Sequence, residues 1–242
     1  MRTRTAAAAV LAVGLLAGVA LVGAGGFASG STLAAEWVSD TARGNTINHH
    51  AVGAGSGRVV TPVSGVGNTP GLTNTTCSLV GLAPANGSVR WRASVPAADC
   101  FVHALTEPAV ADVDGDGVVE ALAATSEDEL VAFDARTGRR EFAVPLPTYG
   151  YARPTVGNLT PAPGPEVVAA DIDGNLVVTT GEGRVLWRRP AAGDTTVWAP
   201  PVVGDVDADG APEVLLAGSG GIRLLNATGG VEWHHETTVE TI

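Results

Sequence analysis

The chain contains no lysine; all fourteen of its basic residues are arginine, set against twenty-five aspartates and glutamates in 242 residues. Without lysine there is no Schiff-base nucleophile and no Walker-type phosphate loop. The net charge is −11. Setting aside residues 1–28 removes two arginines and no acid, which leaves twelve against twenty-five, or −13. Such a surface repels nucleic acid and anionic lipid, whose grip on proteins comes mainly from basic side chains. Cysteine is nearly absent too: Cys77 and Cys100 stand alone, without the CxxC spacing of a redox or zinc pair. Long apolar runs are limited to one, Ala6–Ala24. It follows Arg2 and Arg4 and precedes GAGGFAS, the layout of a secretory signal peptide cut after Ala28. Its length also approaches the roughly 20 residues that cross a bilayer, so a retained N-terminal membrane anchor is the competing reading. Either way the folded part belongs outside the cytoplasm, extracellular or at the cell surface. In that setting the two cysteines predict a Cys77–Cys100 disulfide, worth about 3 kcal/mol if unstrained.

What is present is a repeat. PAVADV, the acidic turn DVDGDGVVE, the runs ALAAT and ELVAF, a DARTG turn and REFAV occupy 108–144. The same order returns from Pro201 as PVV, DVDADGAPE, VLLAG, IRLLNATGG and VEWHH. Weaker copies start at Pro62 and Pro154, so the leading prolines are spaced 46, 46 and 47 residues apart. Each spacing accommodates one four-stranded unit. The fold class is therefore all-β, a β-propeller-like array of four-stranded repeats of about 46 residues. Four repeats are visible, at about 58–105, 106–151, 152–198 and 199–242. Residues 29–57 read as a flexible segment, with Glu36-Trp37 as a strand remnant.

Hairpin signals recur at Asn86-Gly87, Thr137-Gly138, Gly181-Glu182-Gly183 and Thr228-Gly229-Gly230. After each comes one aromatic, Trp91, Phe142, Trp187 or Trp233. An aromatic repeated once per unit is expected to fill the space between neighbouring sheets.

The acidic turns carry the sharpest chemical signal. Asp112, Asp114, Asp116 and Glu120 recur at the same offsets as Asp205, Asp207, Asp209 and Glu213, with Gly117 and Gly210 after the third aspartate. Carboxylates at every second residue of a tight turn converge on a hard cation, which points to Ca²⁺. An EF-hand is excluded because its twelfth position would be Ala123 or Leu216 and no helices flank the loops. Acid/base catalysis fits poorly, since no apolar pocket surrounds the turns to raise one carboxylate. The first repeat lacks the aspartates at 66–71, and the third keeps only Glu166. Asp171 and Asp173, in DIDGN, fall where a tight turn between two strands is expected. The histidine pairs His49-His50 and His234-His235 have no companion ligands at metal-site spacing and read as solvent-facing. Asn74, Asn86, Asn158 and Asn226 each head an N-glycosylation triplet.

The turns DVDGDGVVE and DVDADGAPE, set after PAVAD and PPVVG, resemble the calcium loops of integrin-type FG-GAP and VCBS repeats. The strands ELVAFDARTGRREF and GRVLWRR resemble quinoprotein-like (PQQ-like) propeller repeats, and the lysine-free acidic surface resembles those of salt-loving archaea. The first resemblance implies the two Asp₃Glu sets as calcium ligands. It also implies a non-enzymatic surface module that binds or scaffolds a protein or glycan. The second implies the alternative, part of a quinone-dependent dehydrogenase propeller. No catalytic or quinone-binding residue can be placed by motif. If the repeats do not close into a ring, exposed ends predict a homodimer through the terminal repeats.

Overall fold

The computed structural model describes residues 35–39, 46–47, 50–65, 77–190 and 195–237. The chain divides into two units, Met1–Glu36 and Trp37–Ile242, and of the described residues only Ala35 and Glu36 belong to the first. The export segment 1–28, His49, the degenerate turn at 66–71 and Asn74 lie outside the described residues. Among the described residues no helix is long and apolar enough to cross a membrane.

The expected all-β array is observed as four antiparallel sheets in chain order. The first contains β1 (Thr46–Ile47), β2 (Gly53–Gly55), β3 (Arg58–Gly65), β4 (Ser78–Leu82) and β5 (Val89–Ser94), with β1 and β2 both paired to β3. The second is β6 (Ala109–Ala111), β7 (Glu120–Thr125), β8 (Glu129–Asp134) and β9 (Arg140–Pro145). The third is β10 (Thr155–Gly157), β11 (Glu166–Ala170), β12 (Leu176–Thr179) and β13 (Val185–Arg189). The fourth is β14 (Val202–Gly204), β15 (Glu213–Gly218), β16 (Gly221–Asn226) and β17 (Val231–His235). The turn at 171–175 joins β11 to β12, with Gly174 at φ 84° and both Asp171 carboxylate oxygens accepting from Asn175.

The middle strands β4, β7, β11 and β12 are buried along their whole length, which is why they read as unbroken apolar runs rather than alternating ones. Their side chains form three cores, one between each consecutive pair of sheets. Val60, Leu79 and Trp91 meet Leu105, Ala121 and Ala123. Leu122, Leu130 and Val144 meet Val167, Ala169 and Val177. Val168, Leu176 and Val178 meet Val214, Leu216 and Leu225. At roughly 25 cal/mol per Å² of apolar area, these sheet-to-sheet contacts are the main stabilising term.

Every sheet has a β-bulge between its last two strands, and it falls at the same place each time. The last regular pairs before the irregularity are Gly81 with Trp91, Ala132 with Phe142, Val178 with Trp187 and Leu224 with Trp233. A bulge bends the strand and re-aims its side chains. Three of the four aromatics reach the next sheet as expected. Trp91 donates its indole N–H to Ala135 O at 3.0 Å and Trp187 to Ala227 O at 2.8 Å, while Phe142 packs in the second core. Trp233 does not fit the expectation: it is 44% exposed, because no described sheet follows the fourth.

The expectation of a flexible 29–57 also needs correction. Gly53–Gly55 is a strand paired to β3. A Cβ on Gly53 would meet Pro108 and Val110 of the second sheet, and one on Gly55 would fall 2.6 Å from Val110 O. These glycines, which suggested looseness, are there for close backbone approach. The disulfide is formed: Cys77 and Cys100 are bonded with their Cα atoms 5.2 Å apart. It ties the buried start of β4 to the segment leading into the second sheet.

Candidate metal centre

In the second sheet the chain leaves β6, makes the Asp112–Val119 turn and enters β7 at Glu120. Asp112 accepts from the N–H groups of Gly115 (2.8 Å) and Gly117 (3.1 Å), and Asp114 from that of Asp116 (3.1 Å). Gly115 and Gly117 both have positive φ, 79° and 86°, which folds the turn back over the strand end. Asp112, Asp114 and Glu120 each bring a carboxylate oxygen within 4.8 Å of the others. Asp116 is not brought into that group; its carboxylate accepts from Val118 N–H at 2.7 Å and closes the turn.

The fourth sheet repeats the arrangement. Asp205, Asp207 and Glu213 converge within the same 4.8 Å limit, while Asp209 accepts from Ala211 N–H at 2.7 Å. Ala208 occupies the position of Gly115 with φ 64°, a strained conformation for a residue with a side chain.

Glu120 is the distinctive member. It is 1% exposed, its Oε2 accepts from Val113 N–H at 2.8 Å, and its Oε1 is buried without a hydrogen-bond partner. A buried acceptor left unsatisfied costs about 1–3 kcal/mol, more if charged. The expectation that nothing around the turns would raise a carboxylate needs correction: burial, then the nearby charges of Glu141, Asp114 and Asp112, push the Glu120 carboxyl up to about 7, against the hydrogen bond from Val113.

The third sheet supplies a control within the same molecule. Glu166 holds the same place, accepting from Leu159 N–H at 2.7 Å as Glu120 does from Val113. With no aspartates in its turn, its other oxygen is satisfied by the Thr160 hydroxyl. A protein donor stands there where, in the second sheet, Glu120 Oε1 has none.

Two residues escaped the motif reading. Glu141 immediately precedes Phe142 and adds its charge to the Glu120 group. Glu232 precedes Trp233; desolvation and then Asp207, Glu213 and Asp209 raise its carboxyl. The matching positions in the sheets without aspartate turns are Arg90 and Leu186. The signal was available: glutamate precedes the repeated aromatic only in the two units that carry the acidic turn.

The glycosylation candidates differ in setting. Asn86 and Asn158 are exposed. Asn226 is a turn pin whose Oδ1 accepts from Thr228 N–H, the Thr228 hydroxyl and Gly230 N–H. His234 and His235 lie on the exposed strand β17, whereas His50 packs edge-on to Tyr151 (5.0 Å) and His103 (6.0 Å). Both tyrosines of the chain belong to this ring cluster, Tyr149 through Phe101; no sequence spacing announced it.

Beside the first strands of the sheets lies an open cleft of about 390 Å³ lined by β2, β6 and β10. Its charged residues are Arg153 and Glu107, paired at 3.0 Å.

Residues 37–156 match the family model described as outer membrane protein assembly factor BamB. In fold the chain is similar to BamB from Moraxella catarrhalis, with a TM-score of 0.51 at 18% identity over 79% of this chain and 50% of that one. It is also similar to the quinohemoprotein alcohol dehydrogenase ADHIIG from Pseudomonas putida HK5, with a TM-score of 0.53 at 17% identity over 80% of this chain and 34% of that one. The chain thus spans half the length of the first and about a third of the second. No curated protein matches it in sequence. The fold is that of a propeller-type, PQQ-like repeat array, related to those of BamB and the quinoprotein dehydrogenases. Of the two repeat families that the sequence resembles, the quinoprotein-like one is supported; the FG-GAP/VCBS type and the archaeal origin are not.

Proposed function

We propose that the chain is a non-enzymatic, calcium-binding propeller module of the extracellular space or cell surface, which binds or scaffolds a protein or glycan. The observation that carries the calcium reading is the buried, unpartnered Glu120 Oε1 beside Asp112 and Asp114, set against Glu166, which has Thr160 in place of aspartates. A hard cation with oxygen ligands relieves both the missing partner and the carboxylate repulsion. The match to BamB, an assembly factor by description, favours a scaffold over an enzyme.

A quinone cofactor is the alternative that the dehydrogenase likeness raises. The cleft beside β2, β6 and β10 does not fit it. A polycarboxylate quinone needs several cationic donors, and the cleft provides one guanidinium already paired with Glu107.

The test is melting temperature against calcium at fixed high ionic strength, for the wild type and for Asp114→Ala/Asp207→Ala. Binding to the folded state adds about 1.4 kcal/mol per site for each tenfold of free calcium above the dissociation constant. Sites of extracellular modules bind near 10⁻⁴–10⁻³ M, so the rise is expected at roughly millimolar calcium. It should vanish in the double variant, and identical curves for the two proteins would refute the assignment.

A further inference from the structure

In a chain whose acids far outnumber its bases, three of the fourteen arginines line one cleft. They are Arg58, Arg90 and Arg136, and no acidic residue lines it with them. The cleft is open, about 240 Å³ in volume, and lies between the first sheet and the β8–β9 turn of the second, with Leu82, Pro84 and Ala135 as its apolar lining.

Three turns bring the arginines there. Ser56 and Gly57, at φ 48° and 71°, make the reversal from β2 to β3 and put Arg58 at the start of β3. The close approach of Gly55 to Val110 pins that reversal against the second sheet. Arg90 stands on β5 just after the Ala83–Ser88 turn, and Arg136 is in the β8–β9 turn itself. The Trp91 indole, donating to Ala135 O, ties the first sheet to that turn, so the walls are fixed before a ligand arrives.

The protein does not neutralise these charges. Arg139, Arg140 and Arg153 pair with glutamates, whereas among the described residues no carboxylate pairs with Arg58, Arg90 or Arg136. Arg58 donates from Nη1 to its neighbour's carbonyl, Gly57 O, at 3.1 Å, and its Nε is buried without a hydrogen-bond partner. Asp134, which precedes Arg136 in the same turn, commits its carboxylate to the N–H groups of Arg136 and Thr137 and to the Thr137 hydroxyl. Like charges gathered in one cleft repel, and an anion held among them relieves that repulsion.

We propose that this cleft binds a phosphate monoester. The guanidinium group is a planar fork suited to oxyanions. A carboxylate offers one charge and two oxygens. A phosphate monoester carries close to two charges at neutral pH on three strong acceptor oxygens, one for each guanidinium. The apolar lining suits the organic group on the fourth oxygen. The cleft shares no residue with the acidic turns, and none of this depends on the calcium reading.

The test is a titration of phenyl phosphate followed by phosphorus NMR, in metal-free buffer at fixed ionic strength, so that no bound cation holds the anion. The wild type should show saturable binding at one site per chain. Arg90→Gln and Arg136→Gln should each weaken it about tenfold, as loss of one charge-assisted hydrogen-bonding partner does. Both residues are exposed, so the two variants should keep the wild-type circular dichroism and melting temperature. Arg184→Gln removes an exposed arginine outside the cleft; it should bind as the wild type does and controls for net charge. Phenyl sulfate, with one charge fewer, should compete about tenfold more weakly. Absence of saturable binding overturns the proposal, and so does binding unchanged by Arg90→Gln and Arg136→Gln or weakened equally by Arg184→Gln. Phenyl sulfate or citrate binding as tightly as phenyl phosphate would make the cleft a general anion site and overturns the phosphate assignment.

Discussion

Truncating the repeated aromatic should have very different costs at equivalent positions of the repeat. Trp91 is 8% exposed, packs in the core between the first and second sheets and donates to Ala135 O. Burial of that kind makes Trp→Ala cost about 3–5 kcal/mol, since the neighbouring sheets close the cavity only in part. For a chain of this size each kcal/mol is worth about 2–4 °C, so Trp91→Ala should lower Tm by roughly 6–20 °C. Trp233 occupies the same register on β17 but packs against no further sheet among the described residues. Measured where the chain is monomeric, Trp233→Ala should stay within about 0.5 kcal/mol of wild type. Gly138→Ala approaches the same lock from the other side. Its Cβ would sit 2.7 Å from the Trp91 ring at φ 75°, so it should destabilise by more than the 1 kcal/mol that a compatible Gly→Ala change gains. Thermal melts of the three variants at one dilute concentration make the comparison. Equal losses for Trp91→Ala and Trp233→Ala would refute the account of the locks.

Two further outcomes are expected. Alkylation should label neither Cys77 nor Cys100 until reductant is added, and reduction should cost about 3 kcal/mol of stability through the longer free loop of the unfolded chain. In metal-free buffer the protein should be more stable at pH 5 than at pH 8. The Glu120 carboxyl is raised to about 7 from 4.5, so the folded state holds its proton while the unfolded state has lost it, and stability falls as pH rises between those values. Urea denaturation across that range should show the fall, and Glu120→Gln should flatten it; a wild type whose stability rises with pH over the same interval would contradict the reading.

Much of the architecture was legible because its causes are local. Prolines at 108, 154 and 201 stand immediately before the first strands of their units, although Pro62 lies inside β3, and Asn86-Gly87, Thr137-Gly138, Glu182-Gly183 and Thr228-Gly229 mark the last hairpins, since a positive φ is a property of one or two residues. The carboxylate turns were legible for the same reason, as their offsets are fixed by the backbone of a single turn. What depended on distant neighbours was not. Which of four carboxylates would be buried is decided by packing at the end of β7, so Glu120 could not be told from Asp116 by spacing. Glu141 and Glu232 reach the turns from another strand. Trp37, expected in a strand remnant, lies in no strand: its indole N–H donates to Pro84 O at 2.7 Å and its ring lies where a Cβ of Gly87 would be, a placement set by a hairpin far along the chain. The glycines of 53–55 looked flexible because the close approach of β6 leaves no mark in their own sequence.

The central claim is that the two acidic turns each hold calcium. Equilibrium dialysis against radiolabelled calcium at fixed high ionic strength counts the ions directly. The wild type should take up two per chain, with dissociation constants of roughly 10⁻⁴–10⁻³ M. Glu120→Gln should lose the site at Asp112 and Asp114 while keeping the one at Asp205 and Asp207. No saturable uptake, or uptake unchanged by Glu120→Gln, would contradict the account.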